Sequence, residues 1–309
     1  MNGTWVRLGP LHLDTSRAAA WAVSHAALPV PEAVGDGQWN VFLSLRDAQG
    51  RARVGRTVLT LEPTPALAPL DPDPVLDLGE RGTFDDNGAV GSCLAQVGGR
   101  RYLFYSGWNR GVTVPFYLGA GLAVSENAEL FRRVSRAPLL PLVDEEPFLT
   151  ASPFVMREET RWRMWYISGT GWMTQGSGLE PCYNIRYTES ADGIHWDRPG
   201  RSCIDYAPGE HAIARPWVVR DPDRYRMWFA VRGVRYRIGY AESTDGNTWT
   251  RADDIGGLLP SDEGWDSEMV EYPCMIDYRG RRYMLYNGND YGRTGVGLAV
   301  WQPAEDRPR

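Results

Sequence analysis

Glu271 is the ionisable residue that fits its sequence neighbours least well. It stands in the apolar segment 269–274, which reads Met-Val-Glu-Tyr-Pro-Cys. Burying a carboxylate without a partner is costly, and desolvation raises its pKa, so part of it stays protonated near neutral pH. A neutral carboxyl can donate a proton to a leaving oxygen. Glu271 is therefore the first candidate for a general acid.

Equivalent segments recur along the chain and allow comparison position by position. Three of them align without gaps with the segment around Pro273. At the position that aligns with Glu271, two residues before Pro273, they carry Val90, Ala151 and Ala214. Only the last segment places a carboxylate there. The loops before these segments supply further ionisable side chains. The predicted catalytic residues are Glu271, Asp86, Glu268 and His211.

Polar and aromatic residues on the same predicted face could hold a sugar. Aromatic faces stack on sugar rings, while Asn, Asp and Arg bind hydroxyl groups. The predicted substrate-binding residues are His25, Arg46, Asp47, Asn87, Trp108, Glu146, Ser152, Arg215, Arg232, Asn289 and Tyr291. Because guanidinium groups suit carboxylates and phosphates, we expect a small carbohydrate or glycoside that carries negative charge or dense hydroxyls.

A repeat of about 60 residues positions these side chains. An apolar-aromatic strand recurs with its third residue at Leu43, Tyr105, Tyr166, Phe229 and Tyr286, at spacings of 62, 61, 63 and 57 residues. Each unit contains four strand-like runs, which in the fourth unit cover 214–219, 224–231, 237–243 and 248–251. Ser-x-Asp-Gly-x-x-Trp joins the last two runs at 190–196 and 243–249, and Asp-Gly predicts a tight turn.

Four short strands in each of five units predict an all-β fold, a five-bladed β-propeller with antiparallel blades. The predicted single domain covers 1–309, with blades at approximately 20–70, 84–141, 146–206, 210–260 and 265–301 plus 3–12. Thr4-Trp5-Val6-Arg7 matches 195–198 and 248–251. The N-terminal strand is therefore predicted to close the last blade and cover its edge.

Composition excludes several classes of function. The net charge of −6 argues against general binding to nucleic acids or anionic membranes. All 33 basic residues are arginine, which excludes lysine Schiff-base chemistry, and the four cysteines form no CxxC pair. No cofactor or metal is predicted. Without a signal pattern or a long apolar run, the expected location is cytoplasmic. The sequence predicts no oligomeric state.

These segments resemble the five-bladed β-propeller glycoside hydrolase superfamily of arabinanases, β-xylosidases, invertases and β-mannoside phosphorylases. The resemblance covers nearly all of the chain at the level of the repeat, for example at 151–154 and 284–289. Glu271-Tyr272-Pro273 is similar to the Glu-Cys-Pro segment that holds the acid of invertases. Asp85-Asp86-Asn87-Gly88 resembles their Asn-Asp-Pro-Asn-Gly segment. The resemblance implies that Asp86 is the nucleophile or base and Glu271 the acid.

The chain departs from that superfamily at two places. The first unit reads Ser24-His25-Ala26 where such enzymes open with an aspartate, and Arg220-Asp221-Pro222 lies in a predicted hairpin turn on the opposite face. The third carboxylate is therefore unassigned, with Glu146 and Glu268 as candidates.

Three functions remain open at this point. The first is a carbohydrate-active enzyme of glycoside-hydrolase type that cleaves or rearranges a glycosidic or acetal bond. The second keeps the pocket without hydrolysis, as a sugar-modifying biosynthetic enzyme using His25 and His211 or as a carbohydrate-binding propeller. The third is a protein-interaction propeller with an acidic mouth.

Overall fold

The computed structural model describes residues 3–126, 130–176 and 178–304. The first strands are β1 (Gly3–Leu11), β2 (Ser24–Gly35), β3 (Gln38–Arg46), β4 (Ala52–Thr60), β5 (Ala66–Leu67), β6 (Gly88–Val97), β7 (Arg100–Arg110), β8 (Phe116–Ser125), β9 (Arg132–Arg133) and β10 (Thr150–Arg157). They are followed by β11 (Trp162–Gln175), β12 (Gly178–Ser190), β13 (Arg201–Ile204), β14 (Ala212–Arg220), β15 (Tyr225–Arg232), β16 (Tyr236–Ser243), β17 (Thr250–Arg251), β18 (Glu271–Tyr278), β19 (Arg281–Asn287) and β20 (Val296–Pro303).

Helical structure in the described residues is confined to one 3₁₀ turn, Ser16–Ala18, and two four-residue helices, α1 (Asp253–Gly256) and α2 (Asn289–Gly292). The prediction of a nearly all-β chain is therefore confirmed. In the fourth unit, the predicted strands fall within two residues of the observed β14 to β17 at each end. Among the described residues, no helix is both long and apolar enough to cross a membrane.

The strands form antiparallel sheets built from consecutive hairpins. One sheet runs β2-β3-β4-β6-β7-β8-β9 with β5 beside β4, and a second runs β10-β11-β12-β14-β15-β16-β17 with β13 beside β12. In each, a single parallel bridge, Ala52 with Gly88 or Tyr183 with Ala212, joins one antiparallel group to the next. The third sheet runs β1-β20-β19-β18.

The first strand of each antiparallel group packs against the first strand of the next. β2 contacts β6, β6 contacts β10, β10 contacts β14, β14 contacts β18, and β18 contacts β2. Large aromatic side chains, among them Trp165, Trp228 and Phe104, fill the space between groups and are fully buried. The apolar-aromatic repeat of the sequence therefore forms the core, and polar loops remain at the strand ends.

The N-terminal strand lies where the Trp5 match predicts. β1 pairs antiparallel with β20, with Trp5 opposite Trp301. The Trp5 indole Nε1 donates to the Gly256 carbonyl at 2.9 Å, and the Trp228 indole donates to the same carbonyl at 3.0 Å. A second link joins the two ends of the chain, because the Leu28 amide donates to Asn287 Oδ1 at 2.9 Å.

The Ser-x-Asp-Gly segments form the turns that the sequence predicts. Asp192 Oδ1 accepts bonds from the amides of Ile194 and His195, and Ser190 Oγ accepts one from Gly193. Gly193 has a φ of 78°, a conformation that glycine adopts without strain. Ser243, Asp245 and Gly246 repeat the arrangement, with φ 74° at Gly246.

Candidate functional site

Glu271 is the first residue of β18 and pairs in register with Asn287 of β19. Its side chain has 0% exposure, and neither carboxylate oxygen has a hydrogen-bond partner among the described residues. Buried polar groups in folded proteins are almost always hydrogen-bonded. A buried carboxyl with free bonding capacity is therefore the strongest sign of a functional site in this chain.

A repeated irregularity of the strand sets the position of Glu271. The register of β18 shifts between Glu271 and Cys274, and Tyr272 has a φ of 54°. The same shift follows Ala151 in β10 and Ala214 in β14, where Ser152 and Arg215 have φ 47° and 54°. Non-glycine residues in this region are strained and often mark functional sites. Here the strain belongs to the repeat, and the carboxyl is what distinguishes β18.

Tyrosine and charged side chains surround this carboxyl. We define the Glu271 cluster as Glu271, the groups that shift its pKa and the tyrosines whose pKa values its charge shifts. Its members are Glu271, Tyr183, Tyr236, Tyr272, Tyr291, Arg46, Arg232 and Asp290. Burial raises the pKa of Glu271 well above its ordinary value; Tyr272, Arg232 and Arg46 lower it, and the charge of Asp290 raises it. The cluster thus favours a protonated Glu271 at neutral pH.

The aromatic members of the cluster form one packed group. The hydroxyls of Tyr183 and Tyr236 lie 3.4 Å apart, and the rings of Tyr236 and Tyr291 make an edge contact at 5.8 Å. Asp290 and Tyr291, both in α2, have φ values of 55° and 56°. Tyr272 and Tyr291 are partly exposed, whereas Tyr183 and Tyr236 are buried. Solvent therefore reaches the cluster beside Tyr272 and Tyr291.

Arg232 and His211 share one carboxylate partner. Arg232 Nη2 lies 2.5 Å from Glu180 Oε1, and His211 Nε2 lies 3.2 Å from Glu180 Oε2. Glu180 belongs to the long β11–β12 hairpin, so a neighbouring group of strands reaches over to these two residues. Burial lowers the pKa of His211 and outweighs the carboxylate, and its imidazole is therefore neutral at pH 7.

His25 also lies beside the cluster. It is half-buried, its Nδ1 lies 3.0 Å from Ser24 Oγ, and it feels the charges of Arg46, Asp290 and Arg293. Burial and then Arg46 lower its pKa to about 4. Its backbone has a φ of 60°. Among the predicted binding residues, the structure thus brings His25, Arg46, Arg232 and Tyr291 together around Glu271.

Glu146, which the sequence predicts as a substrate ligand and a candidate third carboxylate, makes contacts within the framework. It has 0% exposure, and its oxygens accept bonds from the Tyr166 hydroxyl at 2.9 Å and the Gly200 amide at 2.7 Å. Arg198 and Arg186 lie 3.3 and 3.6 Å away. No bonding capacity is left for a ligand.

The same arrangement recurs in two other groups of strands. The Tyr105 hydroxyl donates to Asp85 at 2.9 Å with Arg133 at 2.6 Å, and the Tyr286 hydroxyl donates to Asp266 at 2.9 Å with Arg7 at 2.8 Å. We call these pairs, with Glu146 and Tyr166, the carboxylate–tyrosine ties. Each tyrosine follows its carboxylate by 20 residues. That constant spacing could have identified Glu146 as structural.

Arg215 and Asp47, two further predicted binding residues, also make contacts within the framework. Arg215 is fully buried and donates to the carbonyls of Gly91 and Pro29, both at 2.8 Å, so it ties β14 to β6 and β2. Asp47 is buried and accepts bonds from the Arg51 amide and from the Arg51 and Arg53 guanidiniums, which hold its turn. Both side chains are committed to the fold.

Ser152 and Trp108 are also held by framework contacts. The Ser152 amide donates to Ser106 Oγ at 2.8 Å, and Ser152 occupies the strained position that Tyr272 occupies in β18. Trp108 is half-buried against Gly88, where an added Cβ would lie 2.0 Å from its Nε1. Trp108 is therefore a packed side chain.

Four more predicted residues lie outside the strands: Asp86, Asn87 and Glu268 in loops, and Asn289 at the start of α2. Asp86 accepts a bond from the Gly82 amide within its own loop. Asn87 keeps a buried Nδ2 without a partner. Glu268 is exposed, and its backbone amide donates to Asn289 Oδ1 at 2.8 Å. Asn289 therefore holds the loop that contains Glu268. Neither Asp86 nor Glu268 is among the charges that act most on Glu271.

Sequence reasoning missed several members of the site. They are Asp290, Glu180, Tyr183, Tyr236 and Tyr272. Asp290 lies between the predicted residues Asn289 and Tyr291, so the sequence could have indicated it as a site residue. The position of Glu180 depends on the orientation of the long β11–β12 hairpin, which no local sequence pattern encodes.

The fold is similar to that of several solved glycoside hydrolase structures. The structure is similar to a glycosyl hydrolase from Bacteroides ovatus, with a TM-score of 0.72 at 15% identity over 100% of this chain and 96% of that one. It is also similar to a structure of the GH130 family of mannoside phosphorylases, with a TM-score of 0.72 at 15% identity over 100% and 97%. The GH43_1 enzyme from Xanthomonas citri, complexed with xylose, gives 0.60 at 16% identity over 97% and 90%.

Two proteins of Mycobacterium tuberculosis are much closer in sequence. The uncharacterized protein Rv1502 of strain H37Rv is 41% identical over 298 residues, which cover 96% of this chain and 98% of Rv1502. The uncharacterized protein MT1551 of strain CDC 1551 matches to the same extent. The chain belongs to the family of these two proteins. No family model matches it.

Proposed function

We propose that the chain is a single domain, a five-bladed propeller. The blades correspond to β2–β5, β6–β9, β10–β13, β14–β17, and β18–β20 with β1. The contacts that run from β2 through β6, β10, β14 and β18 back to β2 support this arrangement. The pairing of β1 with β20 supports closure of the last blade by the N-terminal strand.

We propose that the protein is a carbohydrate-active enzyme of glycoside-hydrolase type, with Glu271 as its general acid. The observation that carries this proposal is the fully buried Glu271 carboxyl without a hydrogen-bond partner. Burial favours its neutral form, which can protonate the oxygen of a departing sugar or aglycone. The similarity in fold to glycoside hydrolases and mannoside phosphorylases supports the same substrate class.

A second carboxylate has to stay ionised when Glu271 is protonated. Asp290 fits this role best, because its side chain is 53% exposed, it pairs with Arg293 at 3.4 Å, and its charge acts on Glu271. Two carboxyls with different environments can divide the acid and base work of glycoside cleavage. Asp86, which the resemblance to invertases implies as nucleophile or base, is the alternative partner.

Arg46 is the group that favours an acidic sugar. It acts on Glu271 and on His25, and it makes no ion pair with a carboxylate among the described residues. Arg232, in contrast, is neutralised by Glu180. An unpaired guanidinium beside the site would bind a carboxylate or phosphate on the ligand. The proposed partner is thus a small glycoside, preferably acidic.

The test replaces Glu271 by Gln and measures turnover on a panel of aryl and alkyl glycosides. Gln keeps the shape of the side chain but cannot deliver the proton. We expect turnover to fall by roughly 10²–10⁴-fold on substrates with poor leaving groups, and far less where the leaving group needs no protonation. Glu159→Gln is the matched control, because Glu159 is exposed and lies in the turn between β10 and β11.

An unchanged rate in Glu271→Gln on a poor leaving group would remove Glu271 as the acid. Binding of sugars without turnover by the wild type would identify a carbohydrate-binding propeller. Comparing Asp290→Asn with Asp86→Asn then assigns the second carboxylate, because only the true partner loses activity on all leaving groups.

A further inference from the structure

A cavity of about 400 Å³ opens at the seam between the first and last groups of strands. Its lining comes from the end of β1 and the following residues, from the start of β2, from β5 and from β20. We call it the seam cavity. Its volume lies within the range of small-molecule sites.

The seam cavity has a mixed lining with an apolar part, and its polar side chains are His12, Thr15, Ser24, His25, Arg293 and Thr294. Leu11, Leu13, Val23, Ala26, Leu67 and Val296 line it, and none of its lining residues carries a carboxylate. Leu11, Leu13 and Leu67 are only partly buried, so part of their apolar surface faces the cavity. Removing apolar surface from water would stabilise an apolar occupant. The apolar part of the lining offers no bonding partner to sugar hydroxyls.

Two structural links join the seam cavity to Glu271. Asn287, the ladder partner of Glu271, donates through Nδ2 to the carbonyls of Ala26 and Gly295, at 2.6 and 2.9 Å, and both residues line the cavity. His25 also lines the cavity and feels Arg46 and Asp290 of the Glu271 cluster. Asn287 and His25 therefore connect the wall of the cavity to the Glu271 cluster.

We propose that the seam cavity binds the apolar, non-sugar part of a glycoside whose sugar occupies the Glu271 cluster. The proposal rests on the proposed function and narrows its substrate class to glycosides of an alkyl or aryl alcohol. In this arrangement Glu271 and His25 mark the junction between a polar sugar subsite and an apolar aglycone subsite.

The experiment measures dissociation constants for matched methyl, butyl and phenyl glycosides across a panel of common sugars. We expect the butyl and phenyl members to bind roughly 10–100-fold more tightly than the methyl member with the same sugar, as burial of several carbon atoms implies. Val23→Trp should abolish this advantage by filling the cavity. Val34→Trp is the matched control: Val34 is 51% exposed, Val23 is 57% exposed, and Val34 lies towards the opposite end of β2.

Equal affinities for methyl and phenyl glycosides would overturn the proposal while leaving Glu271 catalysis intact. An advantage that survives in Val23→Trp would also overturn it, because the apolar group would then bind elsewhere. Binding of free butanol and phenol is measured for the case in which no glycoside binds. If they bind the wild type but not Val23→Trp, and no glycoside binds, the cavity accepts apolar groups but the glycoside assignment and the proposed function are both wrong.

Discussion

Glu146 and Glu271 are both fully buried glutamates, yet their surroundings differ in every respect. Glu146 accepts bonds from the Tyr166 hydroxyl and the Gly200 amide and faces two arginines. Glu271 has no bond to either oxygen among the described residues and lies beside tyrosines. The carboxylate–tyrosine ties repeat around the fold, whereas β18 alone carries a carboxyl at this position among the aligned strands β6, β10, β14 and β18. In this chain, repetition marks the framework and a break in the repeat marks the site.

The energetic consequence of the two environments is opposite. A buried carboxylate with charged and hydrogen-bonding partners is hard to replace, because its loss leaves those partners uncompensated. A buried carboxyl without partners destabilises the fold, and it is kept only where function needs it. The same Glu→Gln substitution should therefore have opposite signs at the two positions. The predictions that follow test this difference, from the largest effect to the smallest.

Deleting residues 1–12 should have the largest effect, because it removes the arginine of one tie together with a strand. The deletion takes away β1, the buried Trp5, and Arg7, which pairs with the buried Asp266 at 2.8 Å. It also exposes the edge of β20. We expect the melting temperature to fall by roughly 10 °C or more, or the protein to aggregate. Arg7→Ala alone should reproduce only part of this loss; a truncated protein that melts like the full chain would contradict closure by β1.

Glu146→Gln should destabilise the protein by about 2–4 kcal/mol. Gln still accepts from Tyr166, but it loses the charge that faces Arg186 and Arg198. Arg198 is itself nearly buried, so its guanidinium would be left without a counter-charge. Urea denaturation monitored by tryptophan fluorescence measures the free energy of unfolding. A variant as stable as the wild type would show that the ties contribute nothing.

Glu271→Gln should stabilise the protein at pH 7, by about 0.5–2 kcal/mol. The folded-state pKa of Glu271 is raised above that of the unfolded chain. The folded state therefore holds a proton that the unfolded state releases, so stability is full below the unfolded pKa and falls as the pH rises through the folded pKa. The advantage of Gln should be greatest at pH 7 and should shrink at pH 4. Loss of stability in this variant at pH 7 would mean that Glu271 has a stabilising partner.

The sequence predicts the framework well because the framework repeats. The spacing of Tyr105, Tyr166 and Tyr286 and the Ser-x-Asp-Gly turns follow from local patterns that the structure reproduces. The match of Trp5 to Trp196 and Trp249 correctly places β1 beside the last strand. Glu271 is recognisable for the same reason, since it breaks a pattern that Val90, Ala151 and Ala214 obey.

The partners of Glu271 are harder to predict, because they come from loops that differ between groups of strands. The Arg215 guanidinium bonds two carbonyls in the interior, whereas Arg46 makes no ion pair with a carboxylate among the described residues. Which of them is free depends on packing across the inner strands. Glu180 reaches Arg232 only because β11 and β12 are long. Such contacts are tertiary and leave no local signature.

His25 provides the smallest and most selective test of the site. Burial lowers its pKa to about 4, whereas an unfolded chain keeps the ordinary value. Between these values the unfolded state binds more protons, so His25 makes the fold less stable as the pH falls from about 6.5 towards 4. This direction is opposite to that of Glu271, whose penalty grows as the pH rises.

His25→Asn removes the titration, and Asn tolerates the φ of 60° at this position. Because His25 is only half-buried, solvent reduces the effect, and we expect the wild type to lose roughly 1–3 °C relative to the variant between pH 7 and pH 4.5. Melting curves at four pH values measure the difference, with His12→Asn as the control because His12 is exposed. Parallel curves for wild type and His25→Asn would show that His25 is solvated like His12 and lies outside the site.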